Sequence, residues 1–271
     1  MQQRDINDYA GQRAILRLSH GAVAFAAVSP DGSAPPYYSP YPMKGGVAVA
    51  ANLRKAFKDG LVPGMGQKKA IVLVDSPSLL VPLEERDGRG NAELYNHAFT
   101  SSAALSVEED VLPGLNAAAL YGVDRDVKLV VGDHFSEVRY LHVMHTVWTY
   151  MHQRSFSGQG RKLYCYFHDR KMDLFSFSGN RFKYANCFPV AHSKDAAYYI
   201  LYVWKELGLD GRADELCVAG EVDGKAAVVE ELGRYVAKVY KISQRAEFNR
   251  APITMAGDVP LDLSALIVRG L

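Results

Sequence analysis

The stretch Lys162–Phe188, KLYCYFHDRKMDLFSFSGNRFKYANCF, decides the fold of this chain. It contains short aromatic-rich segments in which apolar and polar residues partly alternate, a pattern typical of β-strands. Tight turns at His168–Arg170 and Ser178–Asn180 separate these segments, and a Gly-Asn pair favours a hairpin. The stretch therefore predicts a meander of three strands, at Lys162–Phe167, Lys171–Phe177 and Arg181–Phe188.

A helix, a strand and a second helix follow the meander in the sequence. Apolar residues recur at spacings of three and four up to Leu207, after a cap at Ser193 or Asp195 and before a stop at Gly208. The apolar run Glu215–Ala219 predicts a buried strand that ends at Gly220. A further helix is predicted from about Lys225 to Lys238.

The same order of elements is predicted near the N-terminus. Three strands, a helix and a fourth strand are predicted there. They are the strands Ala14–Leu18, Ala22–Val28 and Pro36–Tyr41, with a turn at Pro30–Gly32, then a helix over Val47–Lys58 and a strand at Lys69–Asp75. Because few residues are identical, the match lies in the order and length of the elements. It indicates an internal duplication, and chance repetition of a generic α/β pattern is the alternative.

The segment between the two copies is less regular. Asn91–Phe99 predicts a short helix, and Leu112–Tyr121 predicts a strand that leads to a polar turn at Asp124–Asp126. Val138–Tyr150 is rich in β-branched and aromatic residues but long enough for a helix, so both alternatives stay open. The flexible, polar stretch Ser155–Gly160 marks a domain boundary.

Length and composition fit two folded domains, residues 1–155 and 161–271. The 271 residues are 48% hydrophobic and 23% charged, as in ordinary globular proteins. The chain has 31 lysines and arginines and 30 acidic residues, so its net charge is close to zero. It therefore has no long-range electrostatic attraction for nucleic acid. The first residues, Met1–Tyr9, lack the apolar core of a signal peptide, and no run reaches the length of a membrane span. We expect a cytoplasmic protein without membrane insertion.

The duplicated order of strands and helices resembles the actin-like ATPase superfamily, whose core is a duplicated ribonuclease-H-like fold. Through Leu163–Leu209 the chain is most similar to an uncharacterised bacterial family, a domain of unknown function with that fold. It is more distantly similar to pilus-assembly and cell-division proteins. The resemblance implies an α/β protein of two ribonuclease-H-like domains, each a mixed sheet with a three-stranded meander plus helices.

Active members of this superfamily carry an Asp-x-Gly-Ser/Thr turn between the first two strands of each half, which holds phosphate and magnesium. The matching turn of the first half is Ser19-His20-Gly21, which keeps the glycine and loses the acid. The matching turn of the second half is His168-Asp169-Arg170-Lys171, which has no glycine. The adenosine-binding Gly-Gly corresponds to Ala219-Gly220-Glu221, where one glycine remains.

These losses argue against magnesium-dependent turnover, because carboxylates must be present to organise the ion. Ser19, His20, Gly21, His168, Asp169 and Gly220 remain as candidates for residual nucleotide contacts. No cofactor is expected, and ATP with magnesium is the alternative. In that alternative the protein is an atypical ATPase or kinase that binds nucleotide in the cleft between domains. Gly21 and Gly220 hold the phosphates, and Asp169 or Asp173 serves as a displaced acid.

No other constellation in the sequence predicts chemistry. His134, His142, His145 and His152 lack metal-site spacing and a carboxylate placed to orient a ring, so no metal is expected. Cys165, Cys187 and Cys217 lie in strand-like segments, which favours buried, reduced thiols.

Two aromatic residues point to a different kind of function. Tyr198 and Tyr202 share one face of the predicted helix, and exposed rings favour a protein contact. The sequence thus predicts a non-catalytic protein-interaction or scaffold module with a protein partner.

Overall fold

The structure is a computed structural model, and the fold is given for the residues that it describes. These are residues 13–19, 21–28, 36–63, 68–86, 90–99, 104–158, 160–190, 192–220, 224–255 and 258–269. The strands are β1 (Arg13–Leu18), β2 (Val23–Val28), β3 (Tyr37–Tyr41), β4 (Lys69–Val74), β5 (Ser78–Pro82), β6 (Leu105–Leu112), β7 (Ala117–Asp124), β8 (Glu137–His142), β9 (Lys162–His168), β10 (Lys171–Ser178), β11 (Arg181–Pro189), β12 (Glu215–Gly220) and β13 (Val239–Lys241). The helices are α1 (Val49–Lys58), α2 (Asn91–Ala98), α3 (Arg125–Gly132), α4 (His145–Ser155), α5 (Ser193–Glu206), α6 (Lys225–Leu232), α7 (Gln244–Glu247), α8 (Pro252–Met255) and α9 (Leu261–Arg269).

The chain forms two compact units. Unit 1 comprises Met1–Pro113, Ala117–Thr146 and Ala251–Leu271, and unit 2 comprises Gly114–Asn116 and Val147–Arg250. The segment Ala251–Leu271 therefore clusters with the N-terminal part of the chain, whereas the predicted second domain runs from residue 161 to residue 271.

Unit 1 contains a mixed sheet in the order β3-β2-β1-β4-β8 and a smaller antiparallel sheet in the order β5-β7-β6. β1 pairs antiparallel with β2 and parallel with β4. β1 and β4 are buried after their first residue, as expected of strands covered on both faces. One face packs against side chains such as Leu53 of α1 and Val130 of α3, and the other packs against Ile253, Leu263 and Leu266 near the C-terminus.

Unit 2 contains one mixed sheet in the order β11-β10-β9-β12-β13. β9, β10 and β11 form the antiparallel meander predicted from the sequence, and β12 pairs in parallel with β9. One core of this unit joins Leu163 and Leu174 of the sheet to Ile200 of α5 and Val228 of α6. The two five-stranded sheets thus share one strand order, although the duplication itself stays a prediction.

The ambiguous stretch Val138–Tyr150 contains both kinds of element. β8 ends at His142 and α4 begins at His145. The amide of Val143 donates to the carbonyl of Val74, and the amide of His142 donates to the Asp110 carboxylate. The strand therefore ends where tertiary partners hold its backbone, and periodicity alone does not reveal that point.

Two other expectations were wrong in detail. The predicted strand Leu112–Tyr121 is interrupted: Leu112 ends β6, a 3₁₀ turn follows at Pro113–Leu115, and only Ala117–Tyr121 is strand, as part of β7. The predicted helix to Lys238 ends at Leu232, where Gly233 begins a turn towards β13. At the predicted polar turn, Asp124 instead caps α3, since its Oδ1 accepts from the amides of Asp126 and Val127. The predicted turn at Pro30–Gly32 lies outside the described residues.

Candidate functional site

The turn between β1 and β2 is closed by its own serine. The amide of Ser19 donates to the carbonyl of Ala22 over 2.9 Å, and the amide of Ala22 donates to Ser19 Oγ over 3.1 Å. Ser19 is buried, Gly21 is exposed, and His20 lies outside the described residues. Because Ser19 Oγ occupies the Ala22 amide, that donor is not available to a phosphate group in this conformation.

The turn between β9 and β10 is a two-residue hairpin loop. Asp169 and Arg170 both have left-handed backbone conformations, with φ of 45° and 61°, and His168 pairs with Lys171 across the loop. Two positive φ angles are typical of a type I′ turn, which matches the twist of the flanking strands. The missing glycine is thus compatible with a tight turn, because aspartate tolerates the left-handed region better than most residues do.

The His168 ring lies between two carboxylates of unit 2. Its Nε2 is 2.6 Å from Asp173 Oδ2, and its Nδ1 is 3.3 Å from Asp169 Oδ2. The ring also stacks on Tyr166, with a centroid distance of 4.7 Å. Both candidate acids therefore already contact the same histidine ring.

Gly220 is explained by backbone packing. It ends β12, pairs with Phe167 of β9 and has a φ of +76°. A Cβ at this position would lie 1.9 Å from the carbonyl oxygen of Phe167. The carbonyl of Gly220 also accepts a hydrogen bond from Lys225 Nζ. The strand pairing requires glycine here whether or not nucleotide binds, and Glu221 lies outside the described residues.

The four clustered histidines have separate partners. His134 stacks on Phe57 and contacts the Val130 carbonyl, and His152 contacts the Gly179 carbonyl. His142 Nε2 lies 2.9 Å from the Ser76 carbonyl. His145 Nδ1 lies 2.7 Å from the buried Asp110 carboxylate, so the expectation that no carboxylate orients these rings was wrong. Asp110 precedes His145 by 35 positions, which no local pattern reveals.

Two of the three thiols are buried, but Cys187 on β11 is exposed, which corrects the expectation of three buried cysteines. Burial raises the pKa of Cys217 to about 11 and holds the pKa of Cys165 well above its usual value. Because the thiolate is the reactive form, the two buried thiols should be inert at neutral pH.

We expect iodoacetamide to add one carbamidomethyl group to the native protein, on Cys187. Mass spectrometry of the intact protein and of its peptides measures this. Cys187→Ser should remove the adduct, and urea should expose the other two thiols in the same protein. Rapid native labelling of Cys165 or Cys217 would contradict the burial of those strands.

Comparison with known families and solved structures identifies the family and the fold of this chain. The profile of the family described as "Protein of unknown function (DUF3822)" matches residues 2–239. The chain belongs to this family. No curated protein matches the chain.

Two solved structures illustrate the likeness. One is a protein from Bacteroides thetaiotaomicron VPI-5482 with an actin-like ATPase fold and unknown function, at 20% identity and a TM-score of 0.80, covering 98% of each chain. The other is the PilM-PilN type IV pilus biogenesis complex, at 9% identity and a TM-score of 0.60, covering 94% of this chain and 97% of that chain. Identities this low show the fold alone. The DUF3822 protein has an actin-like ATPase fold, which confirms the family and fold predicted from the sequence.

Proposed function

We propose that this DUF3822 protein is a non-catalytic member of the actin-like ATPase fold that acts as a cytoplasmic protein-interaction or scaffold module. The observation that carries the proposal is the His168 ring held between Asp169 and Asp173. Magnesium binding by either acid requires that acid to give up its contact with the His168 ring, and a typical intramolecular hydrogen bond contributes about 0.5–1.5 kcal/mol.

Unit 1 supports the same proposal independently. The Ser19 hydroxyl occupies the place of the acid in the superfamily turn, and it binds the Ala22 backbone through both its donor and its acceptor. A neutral hydroxyl bound in this way supplies no charge to organise a metal ion.

A protein-binding role is compatible with this fold and with the surface of unit 2. PilM, which has a similar fold, is found in a complex with PilN. In unit 2, Tyr198 and Tyr202 are 65% and 52% exposed, and large exposed aromatic side chains are common in protein interfaces. Within the part of the chain that the structure describes, no helix is long and apolar enough to cross a membrane.

Magnesium-ATP should leave the melting temperature of the purified protein unchanged. A ligand at 100 times its Kd stabilises the native state by about 2.7 kcal/mol, and each kcal/mol shifts Tm by about 2–4 °C at this size. A real site would therefore produce a shift of several degrees. Phosphate release should also stay at the buffer rate.

The matched variant is Asp173→Asn, with Glu93→Asn on the exposed face of α2 as its control. Turnover that needs magnesium, that Asp173→Asn abolishes and that the control retains would overturn the proposal and establish the atypical ATPase. Gly220 variants do not serve this purpose, because any side chain at position 220 would collide with the Phe167 backbone and disturb the fold itself.

A further inference from the structure

The exposed face of α5 carries one row of side chains at every fourth position, which we name the α5 stripe: Lys194, Tyr198, Tyr202 and Glu206. Residues four apart lie on the same side of a helix. The rings of Tyr198 and Tyr202 are nearly parallel, with an interplanar angle of 19° and centroids 6.4 Å apart. The stripe thus has an aromatic centre between a cationic end and an anionic end, and its two end residues are also exposed.

The stripe rests on well-packed side chains. Tyr199 stacks on Phe188 of β11 with a centroid distance of 4.6 Å, and Tyr198 meets Tyr199 edge-on at 5.5 Å. Tyr199 and Leu201 flank the stripe and pack partly against the core of unit 2. The two exposed rings are therefore presented on a fixed helix, which lowers the entropy lost on binding.

The end charges of the stripe oppose the helix dipole. Lys194 lies in the first turn of α5 and Glu206 is its last residue. A cation near a helix N-terminus and an anion near its C-terminus are both unfavourable within that helix. Neither residue forms an ion pair with any residue that the structure describes. The helix itself gives no reason for this arrangement.

We infer that the partner of the α5 stripe is the α5 stripe of a second copy of this chain, packed antiparallel about a two-fold axis that passes between Tyr198 and Tyr202. Residues related by this symmetry are Lys194 with Glu206 of the second copy, and Tyr198 with Tyr202 of the second copy. Each copy contributes the same surface, so both end pairs form twice. In an antiparallel pair, the cationic end of each stripe faces the anionic end of the other. This charge complementarity selects a second copy of the chain as the partner.

Helix geometry permits this arrangement. Rows of residues four apart form ridges, and two such ridges interlock when the helix axes cross at about 50°. The helix surfaces then diverge towards their ends, where the long side chains of Lys194 and Glu206 can span the gap. The charges beside the stripe are compatible with the antiparallel pairing, because Asp195 of one copy lies at the same end of the helix pair as the oppositely charged Lys205 of the second copy. A parallel pairing instead brings Lys194 against Lys194.

The predicted dimer is weak and concentration-dependent. The contact is one face of a 14-residue helix, whereas a standard stable interface buries about 800 Å² on each partner. Sedimentation equilibrium of the full chain should therefore show a mass that rises from monomer to dimer with protein concentration.

Charge reversal tests the pairing directly. K194E gives a stripe with two anionic ends, and E206K gives a stripe with two cationic ends. Each variant alone should weaken dimerisation about tenfold or more, since both symmetry-related pairs become repulsive. A mixture of the two variants should form a heterodimer, and the double variant K194E/E206K should recover the homodimer.

Controls separate the stripe from general charge effects and from misfolding. K241E on β13 and E93K on α2 make the same charge changes at exposed positions elsewhere and should dimerise like the wild type. Y198A/Y202A should be monomeric with an unchanged circular dichroism spectrum. A wild type that stays monomeric at every concentration, single variants that dimerise normally, or a mixture that stays monomeric would each overturn the inference.

Discussion

Gly220→Ala should destabilise unit 2 by about 2–6 kcal/mol. A left-handed conformation in a residue other than glycine costs about 1–3 kcal/mol, and forcing an atom into packed structure costs about 1–3 kcal/mol more. Here the added Cβ would lie 1.9 Å from a backbone oxygen of β9, which cannot rotate away as a side chain can. Both tryptophans, Trp148 and Trp204, lie buried in unit 2, so urea unfolding followed by tryptophan fluorescence measures the change.

Two other glycines provide graded controls for this prediction. Gly179 has a φ of +57° but no atom near its Cβ position, so Gly179→Ala should cost only the backbone strain, about 1–2 kcal/mol. Gly21 of unit 1 has open space and no such φ, so Gly21→Ala should stay within about 0.5–1 kcal/mol of the wild type in thermal unfolding followed by circular dichroism. If Gly220→Ala proved no worse than Gly179→Ala, the close approach of β12 to β9 would be wrong.

Asp262→Ala should destabilise unit 1 by about 3–5 kcal/mol, because it leaves the Arg17 guanidinium buried beside an empty site. Arg17 Nε donates to Asp262 Oδ1 over 2.8 Å, and a second guanidinium nitrogen donates to Oδ2 over 2.9 Å. The two side chains are only 4% and 0% exposed. Hydrogen exchange of the β1 and α9 peptides, together with thermal unfolding by circular dichroism, measures the loss.

The control for this pair is a surface ion pair of the same unit. Lys69 and Glu137 form one at 2.9 Å with side chains 65% and 58% exposed, so Glu137→Ala should cost less than about 1 kcal/mol. The double variant Arg17→Met/Asp262→Leu should recover much of the loss, since it removes both buried charges together. Equal effects of Asp262→Ala and Glu137→Ala would contradict the buried pairing.

The candidate turns were located correctly in the chain, but their side-chain partners were not predictable. The resemblance to the superfamily places Ser19 where active members carry an acid, and the second matching turn lacks glycine. The sequence does not show that His168 binds Asp173, because histidine and aspartate at a spacing of five in a strand-turn-strand segment have many possible rotamers. Likewise Gly220 reads as the end of a strand, and only the position of Phe167 explains why glycine is required.

The small sheet of unit 1 shows a second limit of sequence patterns. β6 contains the consecutive acids Glu108, Glu109 and Asp110, which obscure the alternation expected of a strand. Asp110 is nevertheless buried, because His145 and the His142 amide satisfy its carboxylate. These partners lie more than thirty positions away in the chain, outside any window in which periodicity is measured.

The sequence by itself determined the meander of β9 to β11 and helix α5, because alternation, helical spacing and turn residues act over a few neighbouring positions. The family and the fold followed from the resemblance of this order of elements to known proteins. Tertiary structure alone decided which unit receives the C-terminal segment. Leu263 and Leu266 of α9 pack on the sheet of unit 1, and Asp262 beside them pairs with Arg17, 245 positions away in the chain. The energy of such a contact comes from burial and geometry in three dimensions, which no local pattern contains.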